Sequence, residues 1–480
     1  MLEGGRDDVD LIRRGIASPF DRVFAADDQE RPAMYIQDIL VNGNWLAQHD
    51  SDGDMMSKPP LYAWLGALAS KFTGGLNEIS LYSVGALAVL ATALLVFFQG
   101  RRLGNEVAGF VGSAALLLSN PSIKMVHLAR TDGLFMVLVF ASALAALEAY
   151  RGRLNWFWFW VLSALSTLTK GPIGIILVAG GFIATFLAQD STREANMKRS
   201  AIGHCAGILF FAVVVGGWFY AAYLQAGDPL IDKIIGKELV GHATESARGD
   251  GIGSKIHQPP LYFLSRFLPW SIFAVMAFWR AFKDRRSRTR EAFARMFLAC
   301  YFLFGLLIFS LSPHQRFDHQ FPIIPAAALL AGMEIVRLLG PARIPLLLKA
   351  YPVIALLMLG GVKAYHFMNV TKEERRSLLV KRAAKEIPAG VELTYADSLM
   401  GLQFFRGTMQ IHRSADEVCS LLASDAPVYV AVRREETWED IRECYDGPAH
   451  KVAEWIPEKE KEPFLTIYSN RESFPASAEH

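Results

Sequence analysis

Apolar segments recur along most of the chain, separated by short polar or charged connections. Crossing the hydrocarbon of a bilayer takes roughly 18 residues or more, and ten segments are near or above that length. A shorter apolar stretch, Pro59 to Phe72, fits an interfacial or re-entrant helix better than a span. The pattern predicts a polytopic α-helical membrane protein of about ten spans, centred on residues 79–99, 106–120, 131–150, 156–170, 171–188, 202–223, 261–281, 293–311, 320–338 and 346–366.

The distribution of charge predicts an orientation in the membrane, although the net charge of +2 indicates nothing about partners. If the ten spans alternate in direction, five connections lie on one side, and every one of them is basic. Basic loops stay in the cytoplasm. We therefore expect a multi-pass protein of the inner membrane, with residues 1–78 and everything after about 369 on the extracytoplasmic side. The five basic connections contain Arg101 and Arg102, Arg151 and Arg153, residues 193–199, residues 283–290, and residues 337–349.

The tail differs in character from the apolar part. Four short segments resemble strands, and Ser414 with Glu417 forms a capping box that begins a helix. We expect a small α/β domain over 369–480, after an extracytoplasmic N-terminal segment with juxtamembrane helices (1–78) and a transmembrane domain (79–368). Cys419 and Cys444 can pair only if the tail faces an oxidising compartment. The expected strands are Val391–Ala396, Met409–His412, Pro427–Val432 and Phe464–Tyr468.

Ionisable residues concentrate on the predicted extracytoplasmic side, beginning before the first span. Asp28 and Arg31 precede an amphipathic stretch, where Asp28 is well placed to cap a helix. Lys58 stands before the apolar Pro59–Phe72 stretch. A snorkelling lysine and a cation for an anionic lipid headgroup are both reasonable interpretations of Lys58.

Two further clusters adjoin the spans. Arg130 and Asp132 begin a span, where charges are costly unless they are paired or functional. A structural ion pair and a functional pair both remain open. The loop Ser312–His319 holds four ionisable residues in eight positions, which favours a function over a simple turn.

The long loop 224–258 contains candidate ligands for a metal. Glu238 and His242 would share one helix face, and His257 follows further along. Two candidate ligands and a distant third are weak support for a metal, so this pattern favours another role for these residues.

These clusters occur in the order of a known set of motifs. The chain resembles the GT-C membrane glycosyltransferases, specifically the aminoarabinose transferase of lipid A and its protein O-mannosyltransferase relatives. Each motif alone is weak, but the ordered series is specific. The motifs are Asp28-Gln-Glu-Arg31, Gly43-Asn-Trp45, Ser57-Lys-Pro-Pro60, Ala129-Arg-Thr-Asp132, Thr169-Lys-Gly-Pro172, Lys237-Glu238, Leu268-Pro-Trp270 and Arg316-Phe-Asp-His319-Gln-Phe-Pro322.

The resemblance implies transfer of a sugar from a polyprenyl-phosphate carrier to an extracytoplasmic acceptor: lipid A or lipopolysaccharide, a glycan or a protein. Cations must then offset the charge of the departing phosphate. Asp28 is the family-aligned base for a hydroxyl acceptor, and Asp132 assists it or orients Arg130. Lys58, Arg130 and Arg316 are the expected phosphate-binding residues, and Arg31, Glu238, His257 and His319 the expected substrate-binding residues.

Two departures from the family pattern modify this picture. Ser57 replaces an acidic residue before Lys58, which removes one metal ligand, so we expect no obligatory metal or other cofactor. His319 stands where the family often has Tyr, which predicts a different sugar or acceptor. Two other hypotheses stay open: a transporter or flippase of lipid-linked sugars, and a non-catalytic family member. A transporter would carry polar residues at the midplane of the membrane, whereas here they crowd one face.

Overall fold

The structure is a computed structural model that describes residues 30–126, 128–188, 197–234, 236, 255–312, 315–368, 372–457, 460 and 462–475. The chain divides into two compact units. The helical unit comprises Ser57–Leu65 and Tyr82–Val362. The α/β unit comprises Met1–Met56, Gly66–Leu81 and Lys363–His480.

The described helices up to residue 368 follow one another with short connections. They are α1 (Glu30–Asn42), α2 (Leu61–Phe72), α3 (Glu78–Leu103), α4 (Glu106–Leu117), α5 (Asn120–Val126), α6 (Thr131–Tyr150), α7 (Trp156–Lys170), α8 (Ile173–Gly181), α9 (Ala184–Leu187), α10 (Met197–Phe211), α11 (Gly217–Ala226, joined to α10 by the π-helix Ala212–Gly216), α12 (Asp228–Ile231), α13 (Gln258–Arg266), α14 (Trp270–Lys283), α15 (Arg290–Leu311) and α16 (Ile324–Met368).

Each of the ten predicted spans falls on one or more of these apolar helices. Five helical segments among the described residues are long and apolar enough to cross a membrane, and six if the bent pair α13–α14 counts as one span. Others, such as the 12-residue α4 and the 15-residue α7, are shorter than the roughly 18 residues that spanning requires. The predicted multi-pass helical membrane protein is confirmed, whereas the number of full-length spans by this criterion is smaller than ten.

Two predicted spans are interrupted by proline or glycine. The segment expected at 261–281 is two helices, α13 and α14, bent by 117°. Pro269 lies at the break and cannot donate a helical hydrogen bond. In α16, Gly340 adopts φ 67° and ψ 167° before Pro341, which divides the long helix as the two predicted segments 320–338 and 346–366 require.

The α/β unit contains a four-stranded mixed sheet in the order β1-β2-β4-β3. Strand β2 pairs parallel to β1, while β4 is antiparallel to both β2 and β3. The elements of this part of the chain are α17 (Lys372–Glu386), β1 (Leu393–Tyr395), α18 (Met400–Arg406), α19 (Ala415–Leu422), β2 (Tyr429–Val432), α20 (Glu435–Cys444), β3 (His450–Trp455) and β4 (Leu465–Ser469).

Strand β2 has a hydrophobic layer on each face. Tyr429 and Ala431 belong to a core shared with α17 and α18, whereas Val430 and Val432 belong to a core shared with α19 and α20. Alternate side chains of a strand point to opposite faces, so an uninterrupted apolar run is expected for a strand covered on both sides. The predicted α/β fold and the capping box of Ser414 and Glu417 are both present.

One predicted strand is absent and one was missed. Residues 409–412 form no strand, because the buried side chain of Gln403 takes both hydrogen bonds of the Gln410 backbone, at 2.9 and 2.8 Å. A side chain thus replaces the ladder that a neighbouring strand would supply. The missed strand is β3, an edge strand whose sequence His450–Trp455 contains two charged residues and reads as a surface segment.

The structure joins Cys419 in α19 to Cys444 at the end of α20, with a Cα–Cα distance of 6.1 Å. This is the pairing that the sequence left conditional on an oxidising compartment. In protein isolated from membranes without reductant, we expect a maleimide reagent to label neither cysteine in the denatured chain, and to label both after dithiothreitol. Labelling of Cys419 and Cys444 without reductant would contradict the bridge; Cys205 and Cys300, both free, are the internal control.

Candidate functional site

Several helix ends in the helical unit bring charged side chains together. Arg130 and Asp132 lie at the start of α6, and Lys170 is the last residue of α7. Lys124 lies in the short helix α5. Arg316 and Asp318 belong to the segment around the 3₁₀ helix Phe317–Gln320. We call Lys124, Arg130, Asp132, Lys170, Arg316 and Asp318 the charged cluster.

Local packing explains why these helix ends meet. Helices α6 and α7 form a hairpin joined by residues 151–155, so the start of α6 and the end of α7 lie at the same end. A buried hydrogen bond of 3.1 Å between Ser142 and Ser163 links the two helices. Helix α3 approaches α5 at Gly85, where a Cβ atom would lie 2.8 Å from the carbonyl oxygen of Met125. A larger residue at Gly85 would push away the helix that carries Lys124.

Asp318 is the centre of one half of the charged cluster. Its buried carboxylate accepts hydrogen bonds from Lys124 Nζ at 3.0 and 3.2 Å and from Arg130 Nη1 at 2.6 Å. Arg316 lies 3.7 Å from the same carboxylate. Three cations thus share one acid.

Asp132 is the centre of the other half. One carboxylate oxygen is hydrogen-bonded to Lys170, and the other lies 3.5 Å from Arg130 Nε. Asp132 is in the first turn of α6, where the helix dipole also favours a negative charge. Arg130 therefore bridges the two carboxylates and is held at both ends of its guanidinium group.

The charged cluster has an excess of positive charge. Its four basic side chains face two carboxylates, which leaves a net charge of +2. Burial by itself would raise the pKa of Asp318, but the nearby Lys124 and Arg130 outweigh burial and lower it, so Asp318 is ionised. The side chain of Arg316 is 54% exposed and Lys124 is 40% exposed, so both reach the surface of the unit. Such an arrangement is suited to an anion.

His319 adjoins the charged cluster and is uncharged at neutral pH. Burial and the positive charge of Lys170 lower its pKa to about 4, against the opposing influence of Asp132. A neutral imidazole has one hydrogen-bond donor and one acceptor. It can therefore bind a hydroxyl group without adding a charge, which is also what the hydroxyl of a tyrosine does at this pH.

The lowered pKa predicts how stability depends on pH. An unfolded histidine takes up its proton near pH 6.5, whereas folded His319 stays neutral down to about pH 4. Between these values the unfolded state binds more protons, so stability falls as the pH drops through this window. We expect His319→Gln to reduce the fall in Tm between pH 7 and pH 4.5, measured in detergent. The exposed His257→Gln serves as control, and an equal fall in wild type and His319→Gln would contradict the prediction.

Helix α13 packs beside the 3₁₀ segment that carries Asp318 and His319. Gln320 donates a hydrogen bond of 2.8 Å to the backbone oxygen of Pro259. The guanidinium of Arg266 lies over the ring of Phe317 at 5.2 Å. His257 directly precedes α13 at its N-cap position, makes no side-chain capping hydrogen bond and is exposed. His257, a predicted site residue, therefore adjoins a helix that contacts the 3₁₀ segment with Asp318 and His319.

The other predicted site residues lie as follows. Lys58 is half-buried in the helical unit, three residues before α2 begins. Arg31 belongs to the α/β unit, where it forms ion pairs of 3.3 Å with both Asp50 and Asp54. Asp28 and Glu238 lie outside the described residues. Of the predicted residues, the structure thus brings Arg130, Asp132, Arg316 and His319 together.

Three residues of the charged cluster were not predicted as site residues. Lys124 is a lone cation between apolar residues near a predicted span, and Lys170 ends an apolar helix inside a recognised motif. Asp318 was part of the ionisable loop but had no assigned role. The cost of placing a charge beside hydrocarbon was the signal available for all three.

Comparison with known proteins agrees with the motif order. The family model described as dolichyl-phosphate-mannose-protein mannosyltransferase matches residues 57–220. A protein of Aquifex aeolicus is 27% identical over 305 residues, covering 62% of this chain and 56% of its own length. The Pseudomonas fluorescens undecaprenyl phosphate-α-4-amino-4-deoxy-L-arabinose arabinosyl transferase 1 is 25% identical over 323 residues, covering 65% of this chain and 53% of its own. The matched region is thus little more than half the length of either relative.

The fold comparison covers the whole chain. ArnT from Cupriavidus metallidurans, in a crystal structure bound to undecaprenyl phosphate, superposes with a TM-score of 0.74 and 17% identity, over 99% of both chains. The chain has the fold of the GT-C membrane proteins of the aminoarabinose transferase and protein mannosyltransferase type. The resemblance inferred from the motifs is confirmed.

Proposed function

We propose that the chain is a glycosyltransferase that moves a sugar from a polyprenyl-phosphate carrier to an acceptor on the extracytoplasmic face of the inner membrane. The observation that carries this proposal is the charged cluster: four cations and two buried carboxylates with a net charge of +2, at helix ends of a membrane protein. A relative of the same fold binds undecaprenyl phosphate. A lipid phosphate is an anion of the kind that this cluster suits.

The cluster's geometry suggests how the phosphate is bound. Arg130 is already oriented by Asp132 and Asp318, so its binding to an anion costs little reorganisation. Arg316 and Lys124 are more exposed than Arg130 and Lys170, so a ligand can approach them from the surface of the unit. Together with Lys58 they would offset the negative charge that develops on the departing phosphate. We propose that these side chains, rather than a divalent metal, do so, and that transfer persists in EDTA.

The carboxylates then have different roles. Both oxygens of Asp132 face cations, Lys170 and Arg130, which makes Asp132 a weak base and a good positioning residue. Asp28, which the motif order aligns with the family's acidic residue, is the proposed base when the acceptor is a hydroxyl group. His319 would bind a hydroxyl of the sugar or acceptor as a neutral partner.

The proposed orientation rests on two independent observations. The five basic connections lie opposite the tail in the alternating arrangement. The tail also contains the Cys419–Cys444 disulfide, which persists in oxidising compartments. Both support the proposal that the C-terminal part of the α/β unit lies outside the cytoplasm.

The proposal is tested with membranes that contain the chain and a labelled polyprenyl-phosphate sugar, scored for transfer. We expect Lys58→Ala to weaken donor use by an amount equivalent to about 2–5 kcal/mol, because it removes a charged contact to phosphate. Its thermal stability should stay near that of wild type. Lys71→Ala, which removes another lysine near the end of α2, is the matched control and should transfer normally.

Absence of transfer by wild type, with the donor still bound, would instead favour the two remaining hypotheses. Movement of the labelled donor across sealed vesicles would identify a flippase. Donor binding with neither transfer nor movement would identify a non-catalytic family member.

A further inference from the structure

A cleft in the α/β unit contains a second set of cationic and aromatic side chains. It is lined in part by Arg376, Ser377, Ser398, Leu402, Arg433 and Phe464. All of these residues belong to the same compact unit. None of these six belongs to the charged cluster or to the family motifs, although Glu30 of Asp28-Gln-Glu-Arg31 also lines the cleft.

Two arginines of this cleft lie over one aromatic ring. The guanidinium carbons of Arg376 and Arg433 are each 4.8 Å from the ring centroid of Phe464. Arg376 is also neutralised, because Glu460 accepts two of its hydrogen bonds, at 3.2 and 2.8 Å. Arg433 has no ion pair with a carboxylate among the residues that the structure describes, and its guanidinium lies over the ring of Phe464.

The backbone that carries Arg433 is firmly held. The buried carboxylate of Asp397 accepts hydrogen bonds from the backbone N–H groups of Arg433 and Arg434, at 2.8 and 3.1 Å. It also binds the guanidinium of Arg434 at 3.0 Å. Arg434 is thereby paired, whereas its neighbour Arg433 lines the cleft. Ser398, which follows Asp397 directly, lines the same cleft.

We propose that this cleft binds an anionic saccharide, a sugar ring that carries a phosphate or carboxylate group. Arg433 would bind the anionic group through its fork of N–H donors, and Ser377 and Ser398 offer hydroxyl groups for the sugar's polar edge. The apolar face of the ring would lie against Phe464 and Leu402. The lining also includes one carboxylate, Glu30, which suits a sugar hydroxyl and disfavours a ligand of high negative charge.

The site is tested by equilibrium binding to the full-length protein in detergent, with no lipid donor present. The probes are glucose 6-phosphate, glucose and inorganic phosphate. We expect glucose 6-phosphate to bind more tightly than either of the other two. Arg433→Ala should weaken its binding by roughly ten- to one-hundredfold, since a hydrogen-bonded charge contact is lost. Arg413→Ala, which removes an exposed arginine of the same unit outside the cleft, should change it less than about twofold.

Two further variants separate this site from other anion sites. Phe464→Leu should weaken glucose 6-phosphate binding, because the ring contact to sugar and arginine is lost. Arg130→Ala should leave it unchanged; loss of binding there would mean that the probe occupies the charged cluster, and would overturn the proposal. Four other results would also overturn the proposal. Two concern wild type: no binding of glucose 6-phosphate, or binding of inorganic phosphate as tight as that of the sugar phosphate. Two concern the variants: wild-type affinity in Arg433→Ala, or a loss of affinity in Arg413→Ala as large as that in Arg433→Ala. Failure of the transferase assay leaves these measurements unaffected.

Discussion

Arg130→Ala should lower the rate of sugar transfer by on the order of a hundred- to a thousandfold. That is the usual effect of removing one preorganised donor from a developing negative charge. Arg130 contacts both carboxylates of the charged cluster, Asp132 at 3.5 Å and Asp318 at 2.6 Å. Its loss would remove one of the proposed phosphate ligands and also leave two buried carboxylates with less positive charge around them. The measurement is the initial rate of transfer from a labelled polyprenyl-phosphate sugar.

Two control variants separate charge from geometry in this experiment. Arg130→Lys keeps the charge but cannot bridge two carboxylates with a planar fork, so it should recover only part of the rate. Arg153→Ala removes a half-exposed arginine that pairs with Glu148 beyond the opposite end of α6, and should transfer as wild type does. A rate in Arg130→Ala within threefold of wild type would contradict the role assigned to the charged cluster. Loss of the thermal unfolding transition in Arg130→Ala would assign the lower rate to loss of stability instead.

Asp28→Asn should reduce turnover by roughly a hundred- to ten-thousandfold and leave donor binding intact. A general base contributes about that much to a rate when it removes a proton from a hydroxyl acceptor. The amide keeps the size and polarity of the side chain but cannot take the proton. The expected contrast is with Lys58→Ala, which weakens donor use. Single-turnover rates and donor binding, measured on the same preparations, distinguish the two.

The neighbouring carboxylate supplies the control for Asp28. Asp27→Asn makes the same chemical change one position earlier, and should turn over as wild type does. Equal losses in the two variants would show that the segment's charge, not one base, affects the rate. A modest effect of Asp28→Asn would fit an acceptor that is already an ionised phosphate and needs no base, with Asp28 then orienting the substrates. Loss of donor binding in Asp28→Asn comparable to that in Lys58→Ala would contradict both roles.

In the α/β unit, local sequence patterns predicted some elements and missed others. The capping box at Ser414 and the apolar strand Tyr429–Val432 were predictable, because each depends on residues within a few positions. The irregular conformation of 409–412 was not, because a buried side chain, Gln403, satisfies its backbone. The edge strand His450–Trp455 was also missed, since only its pairing with β4 distinguishes it from a charged loop.

The apolar runs, the basic connections and the motif order were sufficient by themselves to predict a multi-pass membrane protein of the GT-C type. They also indicated Arg130 and Asp132, because charge beside hydrocarbon needs a partner or a function, and Arg316 and His319, because their short loop is dense in ionisable residues. Only the tertiary structure decided which charges pair. Asp318 binds Lys124 and Arg130 across 194 and 188 residues of chain. Such pairs depend on how α3, α5 and the α6–α7 hairpin pack, through contacts such as that at Gly85. Hydrophobic periodicity reports the length and face of each helix but not its neighbours, so the pairing of charges at helix ends is determined by packing.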